Sequence, residues 1–166
     1  MSAAARHLAA TSAQYWAIAR HQGAYVRCID DEGARAWPSF FTEQCLYVVT
    51  NDDNYRAGLP AGIIYADNRA MLQDRIASLY KANVYEQHTY RHLLGQPDIR
   101  DVSDGTIDSE TNFLVARTMR SGETSLFAAG RYVDRYRLRA DGGVLLEKRI
   151  VVCDSRAIST LLAFPL

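Results

Sequence analysis

The sequence predicts an α+β fold in which a strongly curved antiparallel sheet wraps around helices from the N-terminal half. Strand-like runs at Thr111 to Arg120, Glu123 to Arg139 and Val144 to Cys153 are joined at Ser121-Gly122 and at Asp141-Gly142-Gly143. Short glycine-bearing connections between runs rich in Val, Tyr, Phe and Thr form an antiparallel meander. The middle run alternates: Leu126, Ala128, Tyr132, Tyr136 and Leu138 share one parity, and Arg131, Arg135, Arg137 and Arg139 share the other. Strand side chains alternate between faces, so one face is apolar and the other carries a row of guanidiniums. Length sets the curvature. At roughly 3.3 Å per residue the middle run would extend about 55 Å if straight, while a compact chain of this size has a radius of gyration of about 15 Å. The sheet has to bend, with Gly130 as the expected kink or bulge, and helices have to fill its concave side.

The elements follow in order. Tyr15, Ile18, Ala19, Tyr25, Val26 and Ile29 recur at helical spacing between Leu8 and Asp30, and Asp30-Asp31-Glu32-Gly33 closes that helix. A short second helix carries Trp37, Phe40 and Phe41, with Pro38 tolerated in its first turn. These aromatics read as core, placed to plug one end of the curved sheet. Gln44 to Thr50 reads as a strand and Asn51 to Gly62 as a turn-rich loop punctuated by Gly58, Pro60 and Gly62. Ile63 to Ala66 is a short apolar piece. Asp67 or Asn68 then caps a third helix with Met71, Leu72, Ile76, Leu79 and Tyr80 on one stripe. His92 to Val102 resumes strand character, weakened at Pro97. Ser103-Asp104-Gly105 turns into the meander, and Ala157 to Leu166 is an apolar tail expected to dock. Helices first and a long meander last is the α+β order.

Composition narrows the function. With 166 residues the chain is expected to form one domain over residues 1–166. Nineteen basic and nineteen acidic residues cancel, which argues against nucleic acid or a membrane surface as partner and leaves self-association unopposed by charge. Apolar stretches fall short of a membrane span, and Met1 to His7 lacks the apolar core of a secretory signal. Cys28, Cys45 and Cys153 have no paired spacing and read as buried thiols of a cytoplasmic protein.

Candidate chemistry is sparse. His88 and His92 are four apart within a strand-like stretch, a separation of about 13 Å at the strand rise, too far for one ion. His7 and His21 have no carboxylate at ligand spacing, and no Cys-x-x-Cys, Cys-x-His or Cys-x-x-His pair occurs. Nucleotide-binding glycine loops and a Gly-x-Ser-x-Gly turn are absent. These spacings lead to no expected metal or cofactor residues in this chain. Two readings stay open. A curved sheet can hold a small pocket in which an acid and a His or Tyr move a proton, and Asp30, Tyr47, Asp67, Tyr90 and His92 are the residues for it. The arginine row, with Arg117, Arg120 and Arg149 on neighbouring strands, is either a solvated face paired with Glu123, Asp134 or Glu147 or a protein–protein interface.

Several stretches carry a resemblance. They are Trp37-Pro38-Ser39-Phe40-Phe41-Thr42-Glu43, Ile63-Ile64-Tyr65-Ala66-Asp67 before Met71-Leu72-Gln73-Asp74-Arg75-Ile76, and Tyr90-Arg91-His92-Leu93-Leu94-Gly95. Asn112-Phe113-Leu114-Val115, Gly130-Arg131-Tyr132-Val133-Asp134 and Glu147-Lys148-Arg149-Ile150-Val151-Val152-Cys153-Asp154 continue it, in order and without large gaps. Together they resemble the small, or β, subunit of Rieske-type aromatic-ring-hydroxylating dioxygenases. Thr50-Asn51-Asp52-Asp53-Asn54-Tyr55, Gly58-Leu59-Pro60-Ala61-Gly62 and Ala82-Asn83-Val84-Tyr85-Glu86-Gln87-His88 are similar to the terephthalate dioxygenase or multi-component salicylate hydroxylase small subunits.

The resemblance implies a cystatin-like or scytalone-dehydratase-like cone and an α3β3 hexamer. In that hexamer the large subunit holds the Rieske 2Fe-2S cluster and the mononuclear iron, electrons arrive from a reductase or ferredoxin, and β copies form a supporting trimer. It implies a non-catalytic role in oxidising an aromatic carboxylate, and no catalytic residue is carried over. Arg131, Arg135, Arg137, Arg139, Arg91 and Tyr90 are the subunit-interface candidates. The alternative, a stand-alone isomerase or dehydratase, requires an enclosed pocket beside His92 or a Tyr; a cone filled by Trp37, Phe40 and other core side chains leaves no room for it.

Overall fold

A computed structural model describes residues 3–31, 34–59, 62–82, 88–155 and 165–166, with backbone only at 3–11 and 82. Helix α1 (Ala3–Asp30) leads into a 3-10 turn (Trp37–Phe40), strand β1 (Phe41–Asn51), helix α2 (Asp52–Arg56), strand β2 (Ile64–Ala66) and helix α3 (Arg69–Ala82). Strands β3 (His88–Leu94), β4 (Asp98–Ser103), β5 (Thr106–Met119), β6 (Thr124–Leu138) and β7 (Val144–Cys153) complete the chain's regular elements. The strands form one curved, open sheet in the order β2-β1-β7-β6-β5-β3, with β4 also on β5. Pairing is antiparallel except at β1 and β7, which run parallel.

Local chemistry explains the boundaries. Pro38 sits inside the 3-10 turn, where its missing N–H costs nothing. This is a single turn rather than the expected helix, and Phe41 already begins β1. Asn51 Oδ1 accepts the Asn54 N–H and starts α2 inside the stretch expected to be loop, and Asn68 Oδ1 accepts the Met71 N–H near the start of α3. The strand expected across His92 to Val102 is two strands, because the Gly95 to Pro97 segment breaks the ladder; both β3 and β4 pair with β5. Asp104 and Gly105 both take positive φ, as a two-residue hairpin turn between β4 and β5 needs.

The bend arises elsewhere than expected. Phe127 is the extra residue opposite Val115 and Ala116, and Glu147 is the extra residue opposite Arg135 and Tyr136. Gly130 keeps the ladder register, and its role is close approach: a Cβ there would lie 2.0 Å from the Val152 carbonyl oxygen. Because a bulge reverses side-chain parity, Leu126 is turned out and is 67% exposed, although the alternation placed it with the core. Inside the curve, Ile18, Tyr25, Val26 and Ile29 of α1 pack with Trp37, Phe41, Tyr47, Tyr132 and Tyr136. The concave side is filled by helix, as curvature required. Pro165 and Leu166 are buried, with the Leu166 carbonyl accepting from Tyr25 and Tyr47 hydroxyls at 2.9 and 3.2 Å; residues 157–164 of the expected tail lie outside the described residues. No described helix is long and apolar enough to cross a membrane.

Candidate functional site

The interior is the first place to look for chemistry. The structure brings together two of the five proton-transfer candidates: His92 Nδ1 donates to Asp30 Oδ1 at 2.6 Å, and the His92 backbone N–H donates to Asp30 Oδ2 at 2.8 Å. Tyr90 lies edge-on to His92, 6.2 Å between ring centres. Tyr47 sits apart, between Trp37 and Leu166, and Asp67 is exposed beside Asn68. The His92 and Asp30 side chains are 0% and 3% exposed, so solvent barely reaches the pair. Its work is mechanical. One carboxylate at the end of α1 takes an edge-strand N–H of β3 and a ring N–H together, tying helix to sheet. The space a pocket would need is occupied by Trp37, Tyr25, Phe41 and Tyr47, whose rings meet edge to face at centroid distances from 5.0 to 6.5 Å.

Among the described residues, metal and cluster chemistry does not fit the side chains. Cys28, Cys45 and Cys153 lie on α1, β1 and β7, all buried. Burial pushes the Cys45 thiol to about 11 and the Cys153 thiol to about 12, which disfavours the thiolate a metal needs. Among the described residues no group of three His, Cys, Asp or Glu side chains is placed to share an ion.

What sequence reasoning missed is a buried polar network. Arg149 faces Asp134 across β7 and β6 and donates twice, from Nε to Oδ1 at 2.9 Å and from Nη2 to Oδ2 at 2.7 Å. Its guanidinium lies between the Tyr25 and Tyr132 rings, 4.2 and 3.9 Å from their centres. Gln22 of α1 donates to Thr111 Oγ1 at 2.9 Å and to the Tyr136 hydroxyl at 3.2 Å, and that hydroxyl donates to Asp134. Burial would lower the Arg149 pKa, but the Asp134 carboxylate and surrounding hydroxyls more than restore it, so the cation persists. Burial raises the Tyr132, Tyr136 and Tyr47 phenols well above their ordinary range. Asp134 shares parity with Tyr132 and Tyr136, which was a usable signal. Arg149 gave none, because the Glu147 bulge sets which side it faces.

The outer face divides into two ends. Along β6, Arg135 forks onto Asp108 with two bonds of 2.7 Å, Arg137 reaches Glu147 at 2.6 Å, and Arg139 reaches Asp141 at 3.0 Å. Arg131 pairs with Asp52 of α2 at 3.0 Å, and Arg91 with Asp31 at 3.1 Å. The charges of these five interface candidates are met within the chain. The sixth, Tyr90, is 4% exposed and turned inward onto Phe127, so it is no surface group. The other end is apolar. Leu93, Leu114 and Ala129 stand side by side across β3, β5 and β6, and Leu126 lies opposite Ala116. Leu93 and Leu114 are 55% and 45% exposed. They border a cleft of about 500 Å³ whose lining includes Ala129, Asn112, Arg131 and Asp154.

A packed interior and a differentiated exterior agree with the comparisons. A family model for the ring hydroxylating beta subunit matches residues 24–159. A Comamonas protein, the terephthalate 1,2-dioxygenase terminal oxygenase component subunit beta 2, is 47% identical over 149 residues, covering 90% of this chain and 96% of that one. The crystal structure of a beta subunit assigned to an aromatic-ring-hydroxylating dioxygenase of Novosphingobium aromaticivorans superposes with a TM-score of 0.86 at 38% identity, covering 95% of this chain and 99% of that one. A chain of the same organism assigned as a scytalone dehydratase superposes with a TM-score of 0.65 at 15% identity, covering 86% and 85%, a likeness of fold alone.

Proposed function

The chain belongs to the ring hydroxylating beta subunit family, and from that premise we propose that it is the non-catalytic structural subunit of an aromatic-ring-hydroxylating oxygenase in aromatic catabolism. The oxygenase oxidises an aromatic carboxylate such as terephthalate or salicylate, as the Comamonas relative's name supports for the former. The large subunit holds the Rieske cluster, the mononuclear iron and the substrate, and receives electrons from a reductase or ferredoxin. Three copies of this chain assemble with three large subunits in the cytoplasm, and this chain forms a single domain. The observation that carries the reading is the packed cone. Trp37, Tyr25, Tyr47 and Tyr132 are each 0% exposed, so the protein's useful surface is its outside.

The test is co-expression with the large subunit of such an oxygenase. The small chain is expected to co-purify in a complex that turns over an aromatic carboxylate, while the small chain alone is colourless and inactive. Iron, or turnover, in the purified small chain alone overturns the proposal. Arg91 and Arg131 border the apolar end of the outer face and are placed at the rim of a subunit contact. Arg135, Arg137 and Arg139, neutralised at home, are placed in solvent or at an outer rim. Arg131→Glu is therefore expected to weaken assembly more than Arg135→Glu, as read by the sizing profile of the complex.

A further inference from the structure

Away from the sheet, helix α3 and the segment that leads through the 3-10 turn enclose a groove. Gln73, Ala77 and Lys81 stand four residues apart on one face of α3, a span of about 12 Å at the helical rise. Together with Pro38 they line a cleft of about 400 Å³, within the size range of small-molecule sites. Its floor is apolar. Pro38 and Ile76 are buried, and Ala77, with no more than a methyl group, keeps the middle open.

The polar groups sit at the two ends. Arg35 lies over the Tyr80 ring, 3.8 Å from its centre, and so stands at the Lys81 end; Gln73 marks the other. A guanidinium stacked through its flat face keeps its N–H donors, which lie in its plane, for a partner at its edge. Neither Arg35 nor Lys81 has a carboxylate partner among the described residues, whereas Arg135, Arg137 and Arg139 on β6 are each met by one. Two cations at one end, an apolar floor and a neutral amide two turns away suit an occupant with one negative charge and a flat apolar body. A second negative charge is disfavoured, because Asp74 follows Gln73 in the helix and is exposed beside that end.

We propose that this groove binds an aromatic monocarboxylate. The carboxylate is forked on the Arg35 guanidinium beside the Lys81 ammonium, and the ring lies along Ala77 over Ile76 and Pro38. The groove is built from this chain's own residues, so the site holds whichever complex the chain joins.

Titration of the full chain with benzoate, followed by amide NMR, tests the site. Benzoate is expected to give a saturable response with a Kd of about 1 mM or tighter, centred on Arg35, Ala36 and the amides of residues 73–81. Acetate carries the charge without the ring and benzyl alcohol the ring without the charge; each is expected to bind about tenfold more weakly or worse. Arg35→Ala is expected to weaken benzoate binding by about tenfold or more, the loss of one charge-assisted fork. Terephthalate, whose second carboxylate meets Gln73, is expected to bind more weakly than benzoate, and Gln73→Lys is expected to reverse that order, a gain that unfolding cannot mimic. A response that does not saturate overturns the proposal. Acetate binding as well as benzoate means an anion drawn to exposed cations and also overturns it, as does an unchanged order in Gln73→Lys. Saturation-transfer NMR then compares the assembled complex carrying the parent chain with one carrying Arg35→Ala. A weaker benzoate signal from the variant complex is expected; equal signals mean that a protein surface covers the groove, and overturn the proposal. The titration of the chain alone decides the site if no complex forms.

Discussion

Arg149 and Arg135 lie on adjacent strands of one sheet, and each forks onto an aspartate across a strand pair with hydrogen bonds of 2.7 to 2.9 Å. Only their surroundings differ. The Arg149 and Asp134 side chains are both 0% exposed, while those of Arg135 and Asp108 are 46% and 29% exposed. Inside, taking one partner away strands a charge in a medium that cannot solvate it; outside, water takes over. The same contact is thus a structural commitment on the concave face and a loose trim on the convex one. That contrast also separates the face that fills the cone from the face that can be offered to neighbours.

The largest effect follows from breaking the inner pair. Asp134→Ala leaves the Arg149 guanidinium buried between two tyrosine rings without its counter-charge, and is expected to cost about 3–5 kcal/mol in denaturant unfolding. Replacing both partners by apolar groups, Asp134→Leu with Arg149→Met, should recover most of that loss. A double variant as unstable as the single one would show that shape, and not the stranded charge, carries the cost.

Acid probes the same interior. Burial and the nearby Arg149 cation hold the His21 imidazole down at about 4 from an ordinary 6.5, while its Nε2–H donates to the Phe40 carbonyl at 3.2 Å. The unfolded chain therefore takes up a proton that the folded chain refuses. Stability falls as pH drops below about 6.5 and this contribution levels off near 4, a loss of about 3 kcal/mol over the window. His21→Gln should flatten that part of the stability profile relative to the parent; an unchanged slope between those pH values would falsify the assignment.

Much of this is legible in the sequence. Val144 to Cys153 was delimited to the residue, the β5–β6 hairpin was anticipated, and chain length alone demanded a bend. Periodicity reports which residues share a face and not which strand lies alongside, so the parallel partnership of β1 with β7 left no trace. Bulges were equally silent. The one at Phe127 sends Leu126 outward and the one at Glu147 sends Arg149 inward, so alternation puts Leu126 with the core and Arg149 on the solvated face, where Asp134 is also expected as a partner although both are buried. Asp30 and His92 were named as candidates, but their pairing depends on where α1 ends against an edge strand 62 residues later, a relation no local pattern encodes.

A milder break of the interior lies at that fastening. Asp30→Ala removes the acceptor for both the His92 ring N–H and its backbone N–H, two buried donors left without partners. A loss of about 1–3 kcal/mol is expected, with faster amide exchange along β3 as the local signature. If β3 exchange stays slow, the carboxylate is not what holds that edge.

The smallest effect is expected on the outer face. Arg135→Ala removes a well-formed fork but leaves both groups to water, so about 0–1 kcal/mol is at stake, shrinking with added salt. Arg135 holds the Asp108 carboxyl below its usual range. A carboxylate depressed in the folded state contributes stability above its unfolded pKa and loses it as pH falls through the folded value. The difference between parent and Arg135→Ala should therefore be present at neutral pH and vanish in acid below the ordinary carboxylate range. A difference that rivals Asp134→Ala, or that survives in acid, would mean that the convex face is coupled to the core and that the two faces are not the separate systems their burial describes.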